Sequence, residues 1–138
     1  MKFVQVDKSS LEAFLPLFTE DAKELFMTDP DVLAVGAVTE EYAACGLMLL
    51  KLTESYYMIM HLAVADAYRR QGIAGELVGK AEFAAETNDR GLLAVLAPEK
   101  EEDELMAFFE DRPQWSIQLT EEPEEEGGSY YLASYDFI

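Results

Sequence analysis

Residues 69–75 read Arg69-Arg70-Gln71-Gly72-Ile73-Ala74-Gly75, and the chemistry this stretch can do is anion binding. Gly72, Ala74 and Gly75 carry little or no side chain, so a ligand can approach the backbone closely. An apolar run, Tyr56 to Val64, precedes the stretch and an amphipathic run, Ile73 to Thr87, follows it, which reads as strand, turn and helix. The first N–H groups of such a helix have no intrahelical partner, and the helix dipole adds partial positive charge beside them. The chain has 10 Lys+Arg against 28 Asp+Glu, a net charge of −18, yet two of its basic residues stand in this one turn. That exception points to phosphate. A turn whose small residues serve only close packing is the plainer alternative. The spacing matches neither the longer glycine-lysine loop of nucleotide hydrolases nor the three-glycine fingerprint of dinucleotide folds.

The elements that must position this turn can be followed along the chain. Residues 2–6 alternate as a first strand. Ser9-Ser10-Leu11-Glu12 has the form of a capping box opening a helix, and Pro16 splits that helix into two short pieces, the second carrying Ala22, Leu25 and Phe26. Asp29-Pro30 ends it. Residues 32–38 and 46–52 form a hairpin. Tyr56 to Val64 has apolar residues on both faces, as a central strand covered on both sides would. In the helix after the turn, Ile73, Leu77, Ala81 and Ala84 form one stripe, and residues 88–91 stop it. A buried strand over 92–97 follows, then a helix opening in the acidic stretch 98–104, carrying Leu105, Phe108 and Phe109 and stopped by Pro113. Strands over 115–119 and 129–137 flank an acidic, solvated loop, 121–128. This order predicts an α/β (α+β) fold: a mixed, mostly antiparallel sheet with helices on both faces and one parallel pairing across the turn and its helix.

Composition bounds the rest. With 138 residues the chain reads as one domain over 1–138, and 50% hydrophobic with 12% aromatic residues excludes a disordered acidic chain. No apolar run reaches the ~18 residues that span a bilayer, and the N-terminal residues form a strand pattern instead of a signal peptide. A single cysteine, Cys45, has no intrachain disulfide partner, which favours a cytoplasmic protein. The negative charge speaks against nucleic acid and anionic membrane and suits a cationic acceptor such as an amine; solubility alone also explains it. No Cys/His or carboxylate spacing suggests a metal.

Arg69, Gly72 and Ala74 fit the pyrophosphate loop Arg/Gln-x-x-Gly-x-Gly/Ala, and here the chain resembles the GNAT superfamily of acetyl-CoA-dependent N-acetyltransferases. The order of elements is similar over nearly the whole chain; the loop alone is motif-specific. The resemblance implies that backbone amides of Arg70, Gln71, Gly72, Ile73, Ala74 and Gly75, with Arg69, hold the coenzyme A pyrophosphate. It implies that the strand before the loop splays from its neighbour, so that free backbone groups at Leu62 and Val64 pair with the pantetheine arm. The activity implied is acetyl transfer to a primary amine of a small molecule or peptide, and a homodimer is compatible with the family and with the aromatic-rich last strand. Three positions depart from the family pattern. Phe109 stands where a tyrosine acid is common, Glu102 where an asparagine is common, and Met58 where some members have a glutamate base.

Other residues offer themselves as replacements. His61, the only histidine, lies just before Leu62 and could deprotonate the amine; a packing histidine is its plainer reading. Tyr130 is one of several tyrosines, with Tyr131, Tyr135, Tyr56 and Tyr57, that could supply an acid. Glu54 could attract a cation or be a solvated turn charge, and Lys80 could approach the 3′-phosphate. Cys45 reads as a small buried hydrophobe. Two functions compete: an N-acetyltransferase, or a catalytically weak GNAT-like domain that binds acyl-CoA or a protein partner.

Overall fold

The computed structural model describes residues 1–96, 108–121 and 129–135. The first strand, β1 (Lys2–Val6), ends at Asp7, whose carboxylate accepts from the Ser10 backbone N–H at 2.9 Å and the Ser9 hydroxyl at 2.6 Å. The Asp7 N–H in turn donates to the Ser10 hydroxyl at 3.1 Å. The capping box expected at residues 9–12 is thus closed by Asp7 and Ser10 around a short 3₁₀ turn, Lys8–Ser10, because a carboxylate just upstream engages both serines. Helix α1 (Leu11–Phe14), a second 3₁₀ turn Leu15–Leu17 set by Pro16, and α2 (Glu20–Thr28) follow, so the break expected at the proline is there.

Strands β2 (Val32–Val38), β3 (Ala44–Leu52) and β4 (Tyr56–Val64) come next, then α3 (Ile73–Thr87) and β5 (Gly91–Leu96). Residues 108–110 form a helical turn, followed by β6 (Trp115–Glu121) and β7 (Ser129–Tyr135). The helix start at 98–104, Leu105 and Glu102 lie outside the described residues, as does the loop after Glu121. The seven strands form one sheet in the order β1-β2-β3-β4-β5-β7-β6, antiparallel except for β4 against β5. The expected mixed sheet with helices on both faces is the architecture found.

Two cores sit on the two faces. Helix α3 covers one, with Ile73, Leu77, Val78, Ala81 and Ala85 against Met48, Leu50, Ile59 and Leu92. The stripe closes on Ala85; Ala84, expected in it, is only half-buried, since 3.6-residue spacing from Ala81 reaches both positions and the sheet selects one. Helices α1 and α2 cover the other face, packing Leu11, Phe14, Leu17 and Phe26 on Ala34, Leu47 and Leu49. The most deeply enclosed strand is β3, where residues 45–50 are all buried. β4 is a central strand with apolar residues on both faces, as expected, Ile59, Leu62 and Val64 packing on the α3 core and Met60 and Ala63 on the other, though only Ile59 is fully buried.

The C-terminal half of α3 is pinned by a charge. Glu82 accepts from Arg112 Nη2 at 3.0 and 3.3 Å and from Trp115 Nε1 at 2.7 Å, and its side chain is 13% exposed. Trp115 packs on Phe109 and Tyr135, so the carboxylate fixes the wall that closes the α3 core. Glu82→Ala leaves a buried indole N–H unpaired and should lower stability by ~2 kcal/mol, an estimate kept low because Arg112 reaches solvent. For a domain of this size that is a fall of roughly 5–10 °C in Tm by calorimetry, and an unchanged Tm would refute it.

Candidate active site

The site is built where β4 leaves its neighbour. The parallel ladder pairs Tyr56–Ile59 with Gly91–Ala94 and stops, although β4 runs on to Val64 and β5 to Leu96. On its other edge β4 stays with β3 up to Gly46↔Val64. The Ala65 N–H bonds to the Cys45 carbonyl at 2.9 Å. Antiparallel alternation then makes Ala63 a hydrogen-bonded partner of Leu47, and turns the N–H and C=O of Leu62 and Val64 away from β3, toward the side that β5 has left. Among the described residues no strand pairs with those backbone groups.

The same strand carries a β-bulge. Leu50 pairs with Ile59 but Leu49 pairs with His61, so Met60 is the extra residue. Ile59 faces α3, and simple alternation would put His61 there too. The bulge moves it to the α1–α2 face, opposite Leu49. There His61 Nε2 lies 2.6 Å from the Leu17 carbonyl, and the ring stacks on Phe18 with centroids 6.4 Å apart and planes at 8°. Burial holds the imidazole below its ordinary pKa, partly opposed by the Leu17 hydrogen bond, so the ring is neutral near pH 7.

Beyond Val64 the chain makes a 3₁₀ turn, Asp66–Tyr68, anchored by Tyr68 on the α3 core. Arg69 pairs with Asp66 across 3.1 Å at the surface. Arg70 and Gly72 both adopt left-handed backbone, at φ 67° and 79°. An arginine in that conformation is a strained choice and is typical of functional loops. Gly72 is also the N-cap of α3, and no side chain caps the helix; its first internal bond runs from the Glu76 N–H to the Gly72 carbonyl at 3.0 Å. The N–H groups of Ile73, Ala74 and Gly75 therefore have no intrahelical acceptor. A Cβ on Gly72 would meet nothing within 4 Å, so there is open space beside residue 72 itself. Successive amides around left-handed residues at a helix start make a concave anion nest. The fit to a pyrophosphate is thus one of backbone donors, open space and nearby arginines, and the pantetheine arm fits the unpaired edge of β4.

Residues 69–75 follow the freed edge at Leu62 and Val64 by one 3₁₀ turn, the same residues that the family resemblance named as a cofactor site. His61 lies on the same strand but on the opposite face from α3. Tyr130 belongs to β7, where its backbone pairs with Thr120; its side chain lies outside the described residues. Phe109 is buried at 1% exposure between Phe108 and Trp115. Lys80 places its ammonium 4.6 Å from the Phe3 ring, about two turns into α3, and Glu54 is exposed. Cys45 is fully buried, with Sγ 3.3 Å from the Ala37 carbonyl and burial raising its pKa, which suits a packing role. Sequence reasoning missed Leu17, Phe18 and Met60. None carries a motif; Met60 matters through a register shift and Leu17 through its carbonyl. Among the described residues no three His, Cys, Asp or Glu side chains could hold a metal, and no helix is long and apolar enough to cross a membrane.

No curated protein sequence matches the chain. Solved structures similar to it include the ribosomal-protein-S18-alanine N-acetyltransferase from Escherichia coli, with a TM-score of 0.76 at 10% identity over 99% of this chain and 95% of that one. NAA60 from Arabidopsis thaliana, in complex with a bisubstrate analogue, has a TM-score of 0.73 at 14% identity over 99% of each chain. The IAA acetyltransferase from Bacillus cereus has a TM-score of 0.72 at 15% identity, again over 99% of each. At these identities the likeness is one of fold. A family model described as Acetyltransferase (GNAT) family matches residues 4–114, and on that match the chain belongs to the GNAT acetyltransferases, enzymes that use an acyl-CoA donor.

Proposed function

We propose that the chain transfers an acetyl group from acetyl-CoA to a primary amine. The observation that carries this reading is the divergence of β4 from β5 after Ile59↔Ala94, directly beside an uncapped α3 N-terminus. In this reading the backbone edge at Leu62 and Val64 binds the pantetheine arm as a strand would. The amides of Arg70, Gln71, Gly72, Ile73, Ala74 and Gly75 hold the pyrophosphate, with Arg69 and Arg70 adding charge. A thioester supplies an activated acyl carbon and a thiol leaving group, so holding donor and amine together accounts for much of the rate. The chain's net charge of −18 favours a cationic amine as acceptor. Phe109, buried and without a proton to give, favours a second reading, a domain that binds acyl-CoA with little turnover.

Thermal unfolding with acetyl-CoA, free CoA and ATP tests the donor site. Ligand at 100-fold its Kd should stabilise by ~2.7 kcal/mol, with both CoA species effective and ATP not. Absence of any shift at saturating acetyl-CoA refutes the cofactor site. Thiol release over a panel of amines (spermidine, benzylamine and an alanine-leading tetrapeptide) then separates the readings. Amine-dependent release supports the enzyme; binding without release supports the second reading.

A further inference from the structure

We propose that His61 is a catalytic residue, accepting the proton of the attacking amine through Nδ1 while the Leu17 carbonyl holds Nε2. This rests on the amine-acetylation reading above. Three features of the fold converge on it. The bulge at Met60 turns the ring off the α3 face, so that it stands on the α1–α2 side, two residues past the last β4–β5 pair and next to the edge at Leu62 that β5 has left. The 2.6 Å contact to a carbonyl, which only accepts, requires the hydrogen to be on Nε2. The lone pair is then on Nδ1, for which no hydrogen-bond partner is found among the described residues. Finally, stacking on Phe18, itself 5.8 Å from Phe26, fixes the ring plane, so the basic atom is oriented.

Among the described residues the ring meets β3 through Leu49, the turn Leu15–Leu17 and Phe18, and none of these presents a charged group to it. Burial keeps the imidazole neutral at pH 7, and the Leu17 carbonyl eases the charge once the ring is protonated. The proton and electron balance closes. The amine nitrogen forms a bond to the acyl carbon, and the carbon–sulfur bond breaks with its electron pair leaving on sulfur. A cationic acceptor first gives its ammonium proton to solvent; the proton lost from nitrogen on attack goes to Nδ1 and then to the thiolate, leaving amide and thiol. This role also needs no tyrosine at position 109. A packing histidine would share the burial and the stacking, so stability alone does not distinguish the roles.

His61→Gln tests the assignment, because its amide N–H can still reach the Leu17 carbonyl but cannot take a proton. With acetyl-CoA and the panel amine that gives the fastest thiol release, kcat should fall ~100-fold with the thermal shift by acetyl-CoA retained. The wild-type kcat should fall as pH drops through a pKa below 6.5, since only the neutral ring accepts a proton, and this acid limb should vanish in the variant. As the sole histidine, His61 also gives single imidazole nitrogen resonances by NMR, expected to report the Nε2–H tautomer. A kcat within ~3-fold of wild type, a retained acid limb, or an Nδ1–H tautomer overturns the assignment while leaving acetyl transfer standing. Failure of wild type to turn over any amine overturns both. If His61→Gln unfolds, the wild-type tautomer and pH profile still decide.

Discussion

Gly72→Val should weaken acetyl-CoA binding at least ~30-fold, and Gly72→Asn should separate the two reasons why. At φ 79° the valine backbone is costly, by ~1–2 kcal/mol or more for a β-branched residue. The chain escapes that cost by rotating residue 72 out of the left-handed region. The rotation redirects the amides that begin α3 and removes the concave nest. Asparagine tolerates the left-handed region, so Gly72→Asn should keep the loop conformation and lose under ~0.5 kcal/mol of stability. Its side chain nevertheless fills the open space at residue 72, where a Cβ meets nothing within 4 Å and where the proposed phosphate site begins. The expected pattern by calorimetry and thermal shift is therefore a lower Tm for valine only. Acetyl-CoA affinity should fall for both variants, by at least ~30-fold, or ~2 kcal/mol. Wild-type affinity in both variants would reduce residues 69–75 to a packing turn. Wild-type affinity in the asparagine variant alone would place the phosphates away from residue 72.

This loop was legible in the sequence because its residues are chosen for backbone reasons. Gly72, Ala74 and Gly75 leave a helix start uncovered, and few other patterns put arginines beside such a start in so acidic a chain. The order of elements along the chain was legible too, since each run is bounded by turn residues and the one parallel pairing follows from the helix between β4 and β5, but the placing of β7 between β5 and β6 was not read. The divergence at Ile59 came only from family resemblance. The run 56–64 reads as one uninterrupted strand, and nothing local says that its partner leaves halfway. Nor did the run announce the bulge at Met60, which arises from register with β3. That shift alone decides which face His61 occupies, so its placement could not be read from alternation. Capping failed for a related reason. Asp7 and Ser10 satisfy each other more directly than Ser9 and Glu12 could, a competition between neighbours that a four-residue pattern does not weigh.

Gly46→Ala should weaken acetyl-CoA binding from the opposite side of the sheet's first contact with α3. Gly46 lies on β3 opposite Val64, and a Cβ there would stand 2.8 Å from Ile73 Cγ2, 3.2 Å from Leu77 Cδ1 and 3.3 Å from the Ala37 Cβ. The absence of a side chain lets α3 come down onto β3 at its first residue. Ile73 is fully enclosed at 2% exposure, so its methyl has no free volume to move into. The added methyl should cost ~1–3 kcal/mol by overpacking, and the relief available is to lift the start of α3. Because Ile73 directly follows Gly72, lifting it moves the nest amides, and affinity should fall ~10-fold along with Tm. Ile73→Leu removes Cγ2 at nearly constant volume and should itself cost less than ~1.5 kcal/mol. The double variant should then be more stable than the sum of the two single changes predicts, by at least ~0.5 kcal/mol, and should regain acetyl-CoA affinity. Strict additivity in stability would show that the clash is relieved elsewhere. A loss of stability with unchanged affinity would show that the position of the α3 N-terminus is not what sets cofactor binding.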